Sequence, residues 1–245
     1  MTDVPQKAMV LSAGLGMRMR PLTETTPKPL IKVGGKPLID WGLDTLQAAG
    51  VSHTVVNVHH LAEQMEAHLA QRRKPSVTIS DEREILLDSA GGLVKALPEL
   101  GSDPCFILNA DTFWLDDNGL NLRRLAEAWD PAHMDMLLLL VAPENATGHS
   151  GKIDFLMNET AGEAAGAIRR AQGSAEGYIY AGSGIVNPAV FSDASAKPHS
   201  LNIYFDRAIE AGRLYGLPLQ GHWITVGTPD AIAPAEQAIR QLRGS

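Results

Sequence analysis

The chain has 245 residues, 44% hydrophobic and 20% charged, with a formal net charge of −7. That is enough for one substantial core, and too acidic, with no basic run, for a nucleic-acid or membrane-surface protein. Its one cysteine, Cys105, sits in an apolar run as a buried thiol and excludes an internal disulfide; no apolar stretch is long enough to span a membrane and no signal-like segment opens the chain, so a cytoplasmic protein is expected.

Residues 7–12 read as the first strand: the short apolar run from Met9 to Leu11, bounded by glycine, is buried and feeds a turn at Ser12-Ala13-Gly14. Gly14 and Gly16 let backbone N–H groups approach an anion, and Arg18, Arg20 and Lys28 supply charge for phosphate oxygens. Pro27 and Pro29 stiffen the backbone that presents Lys28. The physical reading is a loop that holds a polyphosphate. It is not a dinucleotide fingerprint, because the third glycine position holds Met19, and it is not a Walker A loop, because Gly35-Lys36 is followed by Pro37.

Residues 30–33 are a short extended piece, and Pro37 starts a helix whose apolar face carries Leu38, Ile39, Trp41, Leu43, Leu46 and Ala49 before Gly50 stops it. Residues 53–58 are a β-branched strand; Leu61, Met65 and Leu69 step along a second helix; residues 77–79 are a third strand. A short helix over 90–97 precedes a buried strand over 105–108 that ends in Asn109-Ala110-Asp111. Strands alternating with helices predict a doubly wound, mostly parallel sheet, with ligands beyond the carboxyl ends of its strands.

A helix over 120–129 and a strand over 134–141 follow. From Pro143 the chain is punctuated by Gly148, Gly151, Gly162, Gly166, Gly173 and Gly177, which reads as hairpins forming a β-rich flap over the sheet. Residues 178–186 return to strand, residues 202–211 to helix, 222–226 to strand, and a last helix runs from about 230 to 242.

Ala13-Gly14-Leu15-Gly16-Met17-Arg18, Pro21-Leu22-Thr23 and Pro27-Lys28-Pro29-Leu30 together resemble the signature of the sugar-1-phosphate nucleotidyltransferases, the sugar-nucleotide pyrophosphorylases. The likeness continues in Leu87-Asp88-Ser89-Ala90-Gly91-Gly92, beside the nucleobase in that family, and in the metal-binding turn Asn109-Ala110-Asp111. It extends through the strand Tyr180-Ala181-Gly182-Ser183-Gly184-Ile185 to the closing segment Trp223-Ile224-Thr225-Val226-Gly227-Thr228-Pro229. The resemblance implies an α/β fold with a Rossmann-like, mostly parallel sheet flanked by helices and a small β-rich sugar-binding lobe, of the nucleotide-diphospho-sugar transferase type. It implies one domain over 1–245, with a nucleotide-binding half over 1–141 and a sugar-phosphate-binding half over 142–245.

The same resemblance implies a reaction in which a sugar 1-phosphate attacks the α-phosphorus of a nucleoside triphosphate and pyrophosphate leaves, a task of positioning and charge neutralisation. It assigns Arg18, Lys28 and Asp111 to catalysis, with Asp111 holding Mg²⁺. Ala13, Gly14, Gly16, Glu82, Gly91 and Asn109 would bind the nucleotide, and Gly151, Ser183 and Asn202 the sugar phosphate. Thr225 stands where the family usually has a second metal-binding aspartate. Asp111 could instead cap a turn, and Glu82 with Glu84 could be a solvated acidic run. Arg169 and Arg170 could bind the sugar phosphate but read better as a charged hairpin face, and His59 and His60 read as structural or as lining the base pocket. Length and the Ser-Ala-Gly-Gly segment look most like the family members that transfer UTP's uridylyl group to N-acetylmuramic acid 1-phosphate in cell-wall recycling. Mannose-1-phosphate guanylyltransferase, phosphocholine cytidylyltransferase and a non-catalytic nucleotide-sugar sensor are the alternatives. A monomer or small homo-oligomer is expected.

Overall fold

The computed structural model describes residues 4–116, 119–158 and 164–244; Gly162 lies outside them. In chain order the elements are β1 (Lys7–Leu11), β2 (Lys32–Val33), β3 (Lys36–Pro37), α1 (Leu38–Ala49), β4 (His53–Val58), α2 (Ala62–Leu69) and β5 (Ser76–Asp81). Then come α3 (Asp88–Leu100), β6 (Cys105–Asn109), β7 (Thr112–Leu115), α4 (Leu120–Ala128), β8 (Met136–Val141), β9 (Ala146–Thr147), β10 (Phe155–Met157) and β11 (Gly166–Arg170). The chain closes with β12 (Ile179–Val186), α5 (Asn202–Glu210), β13 (Leu214–Pro218), β14 (His222–Thr225) and α6 (Ile232–Arg243).

A nine-stranded sheet runs in the order β10-β11-β13-β8-β12-β6-β1-β4-β5. β12 is antiparallel to both β6 and β8, and β11 is antiparallel to both β13 and β10. The other strands share one direction, so the sheet is mostly parallel. Successive residues of β1 face opposite layers. Ala8 and Val10 join a core with Ile39 and Leu43 of α1, Met65 of α2 and Leu125 of α4. Met9 faces Leu93 of α3 and Phe205 of α5 on the other side. β8 is buried along its whole length, as a strand covered on both faces must be. Each fully buried Leu or Phe of these strands contributes roughly 1.5–3 kcal/mol relative to exposure.

A second sheet, β7-β14-β9, rests on a third cluster in which Trp41 stacks on Phe113 with ring centroids 4.6 Å apart, beside Ile224 and Ile239. Of the pieces after Pro143, β10 and β11 extend the edge of the main sheet instead of forming a flap over it. β11 pairs edge to edge with β13 through Gly166↔Gly216 and Ala167↔Tyr215, and β10 pairs with β11. The apolar side chains Phe155 and Ile168 are buried in the core under α5, which draws the hairpin into the sheet.

Candidate functional site

The chain leaves β1 at Leu11 and turns back on itself through two short 3₁₀ turns, Met17–Met19 and Leu22–Glu24. Gly16 sits at φ +63, and a Cβ there would lie 2.8 Å from Thr23 Cγ2, so the turn demands glycine. Thr23 Oγ1 donates to the Gly16 carbonyl at 2.8 Å and closes the loop on itself. Around the start of α2, His60 Nε2 donates to the Thr23 carbonyl at 2.7 Å and Gln64 Nε2 to the Thr25 carbonyl at 2.9 Å. His59 Nδ1 likewise donates to the Glu82 carbonyl at 2.6 Å. Both histidines are structural clips, the first of the two readings their sequence left open. Met19 anchors the loop in the third core cluster, while Leu15 and Met17 face solvent.

Lys28 follows an extended Pro27 and reaches across to the turn after β6. Its Nζ lies 2.6 Å from Asp111 Oδ2, with the lysine side chain 12% exposed and the aspartate 34%. Among the described residues no backbone N–H donates to the Asp111 carboxylate, so Asp111 is not a turn cap. Two cavities meet at this pair. One, of 180 Å³, is lined by Ser12, Gly14, Lys28, Asn109 and Asp111. The other, of 250 Å³, is lined by Gly14, Gly16, Arg18, Lys28, Asp111 and Gly227. Space beside Gly14 is open: a Cβ there would meet nothing within 4 Å. A Cβ on Gly227 would lie 3.8 Å from Arg18 Nη1, which places the guanidinium against the end of the β14 segment. The arrangement sets two cations and open backbone around space sized for phosphate groups.

The small sheet ties this site together. Thr112 pairs with Thr225 across β7 and β14, and the Val226 N–H donates to the Asp111 carbonyl at 3.2 Å. Thr225, expected from the resemblance to stand where a second acid would be, is therefore close to Asp111 along the chain pairing, and its side chain is a neutral hydroxyl. Among the described residues no group of three or more His, Cys, Asp or Glu side chains could hold a metal. Asp111 engages Lys28 through one oxygen, and among the described residues no hydrogen bond or ion pair engages the other. That donor set fits a magnesium site with one protein carboxylate whose remaining ligands are phosphate and water oxygens.

Of the residues expected to bind substrate, Gly14, Gly16, Arg18, Lys28, Asn109 and Asp111 converge on the two cavities, and Ala13 is the buried residue between Ser12 and Gly14. Others do not. Glu82 is 1% exposed; its Oε1 accepts from Asn57 Nδ2 at 2.8 Å and its Oε2 from the Leu87 N–H at 2.9 Å, so it is neither a base reader at the surface nor a solvated acid. Gly91 is buried, and a Cβ there would run into the Lys197 carbonyl, so its glycine serves the docking of that segment on α3. Ser183 is fully buried opposite Leu108, and its hydroxyl has no hydrogen-bond partner among the described residues. Asn202 opens α5, where its Oδ1 accepts from Arg170 Nη2 at 2.9 Å. Arg170 also donates to Asp206 at 2.7 Å and lies over Phe155, so it pins the edge hairpin rather than meeting substrate. Gly151 lies in an exposed loop against the His149 ring and lines neither cavity.

Asn57 serves the site without having been singled out by sequence, whereas Thr23 and Gly227 entered only as members of longer motifs. Asn57 could have been: it is a polar residue inside the β-branched strand β4, buried with its neighbours. Cys105 has no part in the chemistry, since burial pushes its thiol up to about 12.

A family model described as nucleotidyl transferase matches residues 7–241. The N-acetylmuramate alpha-1-phosphate uridylyltransferase of Caulobacter vibrioides is 39% identical over 246 residues, spanning 98% of this chain and 100% of that protein. The protein of the same name from Neisseria meningitidis serogroup B is 35% identical over 227 residues, spanning 91% of this chain and 93% of its own. The solved inositol-1-phosphate CTP transferase from T. maritima matches with a TM-score of 0.77 over 98% of both chains at 15% identity, a likeness of fold.

Proposed function

The chain belongs to the nucleotidyl transferase family, and from that premise we propose that it transfers a uridylyl group from UTP to N-acetylmuramic acid 1-phosphate. Its fold is that of the nucleotide-diphospho-sugar transferases. The observation that carries the reading is the Lys28–Asp111 pair at the junction of two cavities, with Arg18 and the Gly14–Gly16 backbone around them. The names of the two curated relatives support the choice of nucleotide and sugar.

In the proposed reaction an oxygen of the sugar phosphate bonds to the α-phosphorus as the bond to the β-phosphate oxygen breaks, and pyrophosphate leaves with that electron pair. Arg18, beside Gly227, holds the β- and γ-phosphates and steadies the departing pyrophosphate. Lys28 touches both the α-phosphate and the attacking phosphate, so that two anions can approach. Gly14 and Gly16 offer backbone to the phosphates, and Asn109, with Ser12, lines the 180 Å³ cavity beside them. Asp111 would hold one Mg²⁺, which supplies charge neutralisation on the phosphate oxygens.

The test is pyrophosphate release, with magnesium present, from UTP, GTP, CTP and ATP paired with N-acetylmuramic acid 1-phosphate, mannose 1-phosphate and phosphocholine. Turnover preferring UTP and the muramic acid substrate supports the proposal. Preference for another pair overturns the specificity, and no turnover with any pair overturns the enzyme reading.

A further inference from the structure

We propose that Glu82 is a positioning residue for the nucleotide: acting through Asn57, it fixes the backbone N–H of Ser12 and with it the first turn of the triphosphate cradle. The proposal rests on the reading of that turn given above. Three neighbouring strands end here, β1 before Ser12, β4 with Asn57 near its end, and β5 before Glu82.

The groups form one chain of hydrogen bonds. The Ser12 N–H donates to Asn57 Oδ1 at 2.7 Å; Asn57 Nδ2 donates to Glu82 Oε1 at 2.8 Å; the Leu87 N–H, ahead of α3, donates to Glu82 Oε2 at 2.9 Å. All four residues are buried. The Ser12 hydroxyl also donates to the Asn57 carbonyl, so both polar groups of Ser12 are held by one residue. Gly92 makes room for this line: a Cβ there would lie 2.6 Å from Glu82 Oε1 and 2.8 Å from Asn57 Nδ2.

The order of donors leaves no freedom. An amide has one accepting end and one donating end, whereas a carboxylate accepts at both. Glu82 receives Asn57 on one oxygen and Leu87 on the other, which forces Asn57 to turn its oxygen to Ser12. A glutamine at 82 can accept from only one of its two neighbours. Its NH₂ would face either the Leu87 N–H or Asn57 Nδ2, and in the second case relief comes only if Asn57 turns over and sets its own NH₂ against the Ser12 N–H. The fault is thereby moved into the phosphate loop. An aspartate at 57 combined with a glutamine at 82 reverses the order and satisfies every group again, at the same total charge.

The experiment is therefore the cycle of Glu82→Gln, Asn57→Asp and the double variant, read by nucleotide KM, sugar-phosphate KM, kcat and thermal unfolding. Glu82→Gln should raise the nucleotide KM about tenfold or more with the sugar-phosphate KM nearly unchanged, and the double variant should restore it to within about threefold, a strongly non-additive cycle. An unchanged nucleotide KM with only a lower melting temperature would overturn the proposal. So would a double variant as impaired as the singles combined. Lost base selectivity with unaltered affinity for inorganic tripolyphosphate would make Glu82 a base reader and also overturn it. Hydrogen exchange of the Ser12 amide reads the same line of bonds without any substrate. Protection lost in Glu82→Gln and regained in the double variant supports the positioning role even if the nucleotide reading fails, and unchanged protection overturns it.

Discussion

Lys28 Nζ and Asp111 Oδ2, 83 residues apart in sequence, lie 2.6 Å apart where the two cavities of the site meet. The contact is partly screened by solvent, so it contributes about 0–1 kcal/mol to stability. Its weight falls on function, because a phosphate that enters must share the same ammonium. Lys28→Met should lower kcat by about 10²–10³. Asp111→Asn should do at least as much and weaken the dependence on magnesium, while thermal unfolding moves by only a few degrees. Pyrophosphate release across a magnesium titration, beside calorimetry, checks both. Undiminished turnover in Asp111→Asn would remove the acid from the chemistry.

Gly14 and Gly16 should respond differently to alanine. At Gly16 the left-handed backbone and the nearby Thr23 methyl oppose a side chain, so Gly16→Ala should cost about 1–2 kcal/mol of stability. Gly14→Ala meets no protein atom and should fold as the wild type does, yet raise the nucleotide KM by occupying space meant for phosphate. Denaturant melts and steady-state kinetics on the two variants separate these outcomes. An unchanged KM in Gly14→Ala would place the phosphates elsewhere.

Arg170 and Asn202 should prove structural. Arg170 Nε donates to Asp206 Oδ1 at 2.7 Å and its guanidinium lies 4.9 Å from the centre of the Phe155 ring, over the hairpin it secures. Arg170→Ala should lower the melting temperature, and Asn202→Ala should leave both substrate KM values within about twofold. A sugar-phosphate KM raised tenfold in Asn202→Ala would return that residue to the binding site.

Acid should weaken the fold through its partly buried histidines. Burial holds His222 and His53 below the ordinary value of 6.5, with Lys7 adding to the effect on His53. Above 6.5 both are neutral in the folded and unfolded chain and contribute no slope. As pH falls below that value the unfolded chain takes up protons first, so stability is lost on the acid side. His222 also shares a hydrogen bond of 2.8 Å with Thr147 Oγ1, between β14 and β9. His222→Gln should flatten the fall in melting temperature on acidification. An acid limb identical to that of the wild type would exclude His222 as its source.

Cys105 should resist alkylation in the native state, since it is buried and its thiol titrates at about 12. Mass spectrometry after iodoacetamide treatment, with and without denaturant, measures this directly.

The main sheet was legible in the sequence because its strands are continuous apolar or β-branched runs, such as residues 105–108 and 134–141. The phosphate loop was legible because glycine, arginine and proline each have a local reason to be there. Depth was not legible. Glu82 and Asn57 are 25 residues apart, and only the pairing of β4 with β5 brings them together and hides the acid. Ser183 was placed at the sugar phosphate by the resemblance of its segment alone, but it is fully buried in β12, whose register shifts between Tyr180 and Gly184, with Gly182 at φ +75. Asn202 is captured by an arginine 32 residues away, a partnership no local pattern announces. The short strands β7 and β13 carried too few alternating residues to stand out from turns, and with β7 the small sheet was missed.

That small sheet has a mechanical consequence. Asp111 lies just before β7, and Gly227, the seat of Arg18, just after β14. The two strands form one antiparallel ladder, closed at this end by the Val226-to-Asp111 hydrogen bond. The acid is thus built into this frame, whereas the guanidinium, borne by the loop after β1, only rests against it at Gly227. Loss of the ladder would displace the acid and the resting place of the arginine together.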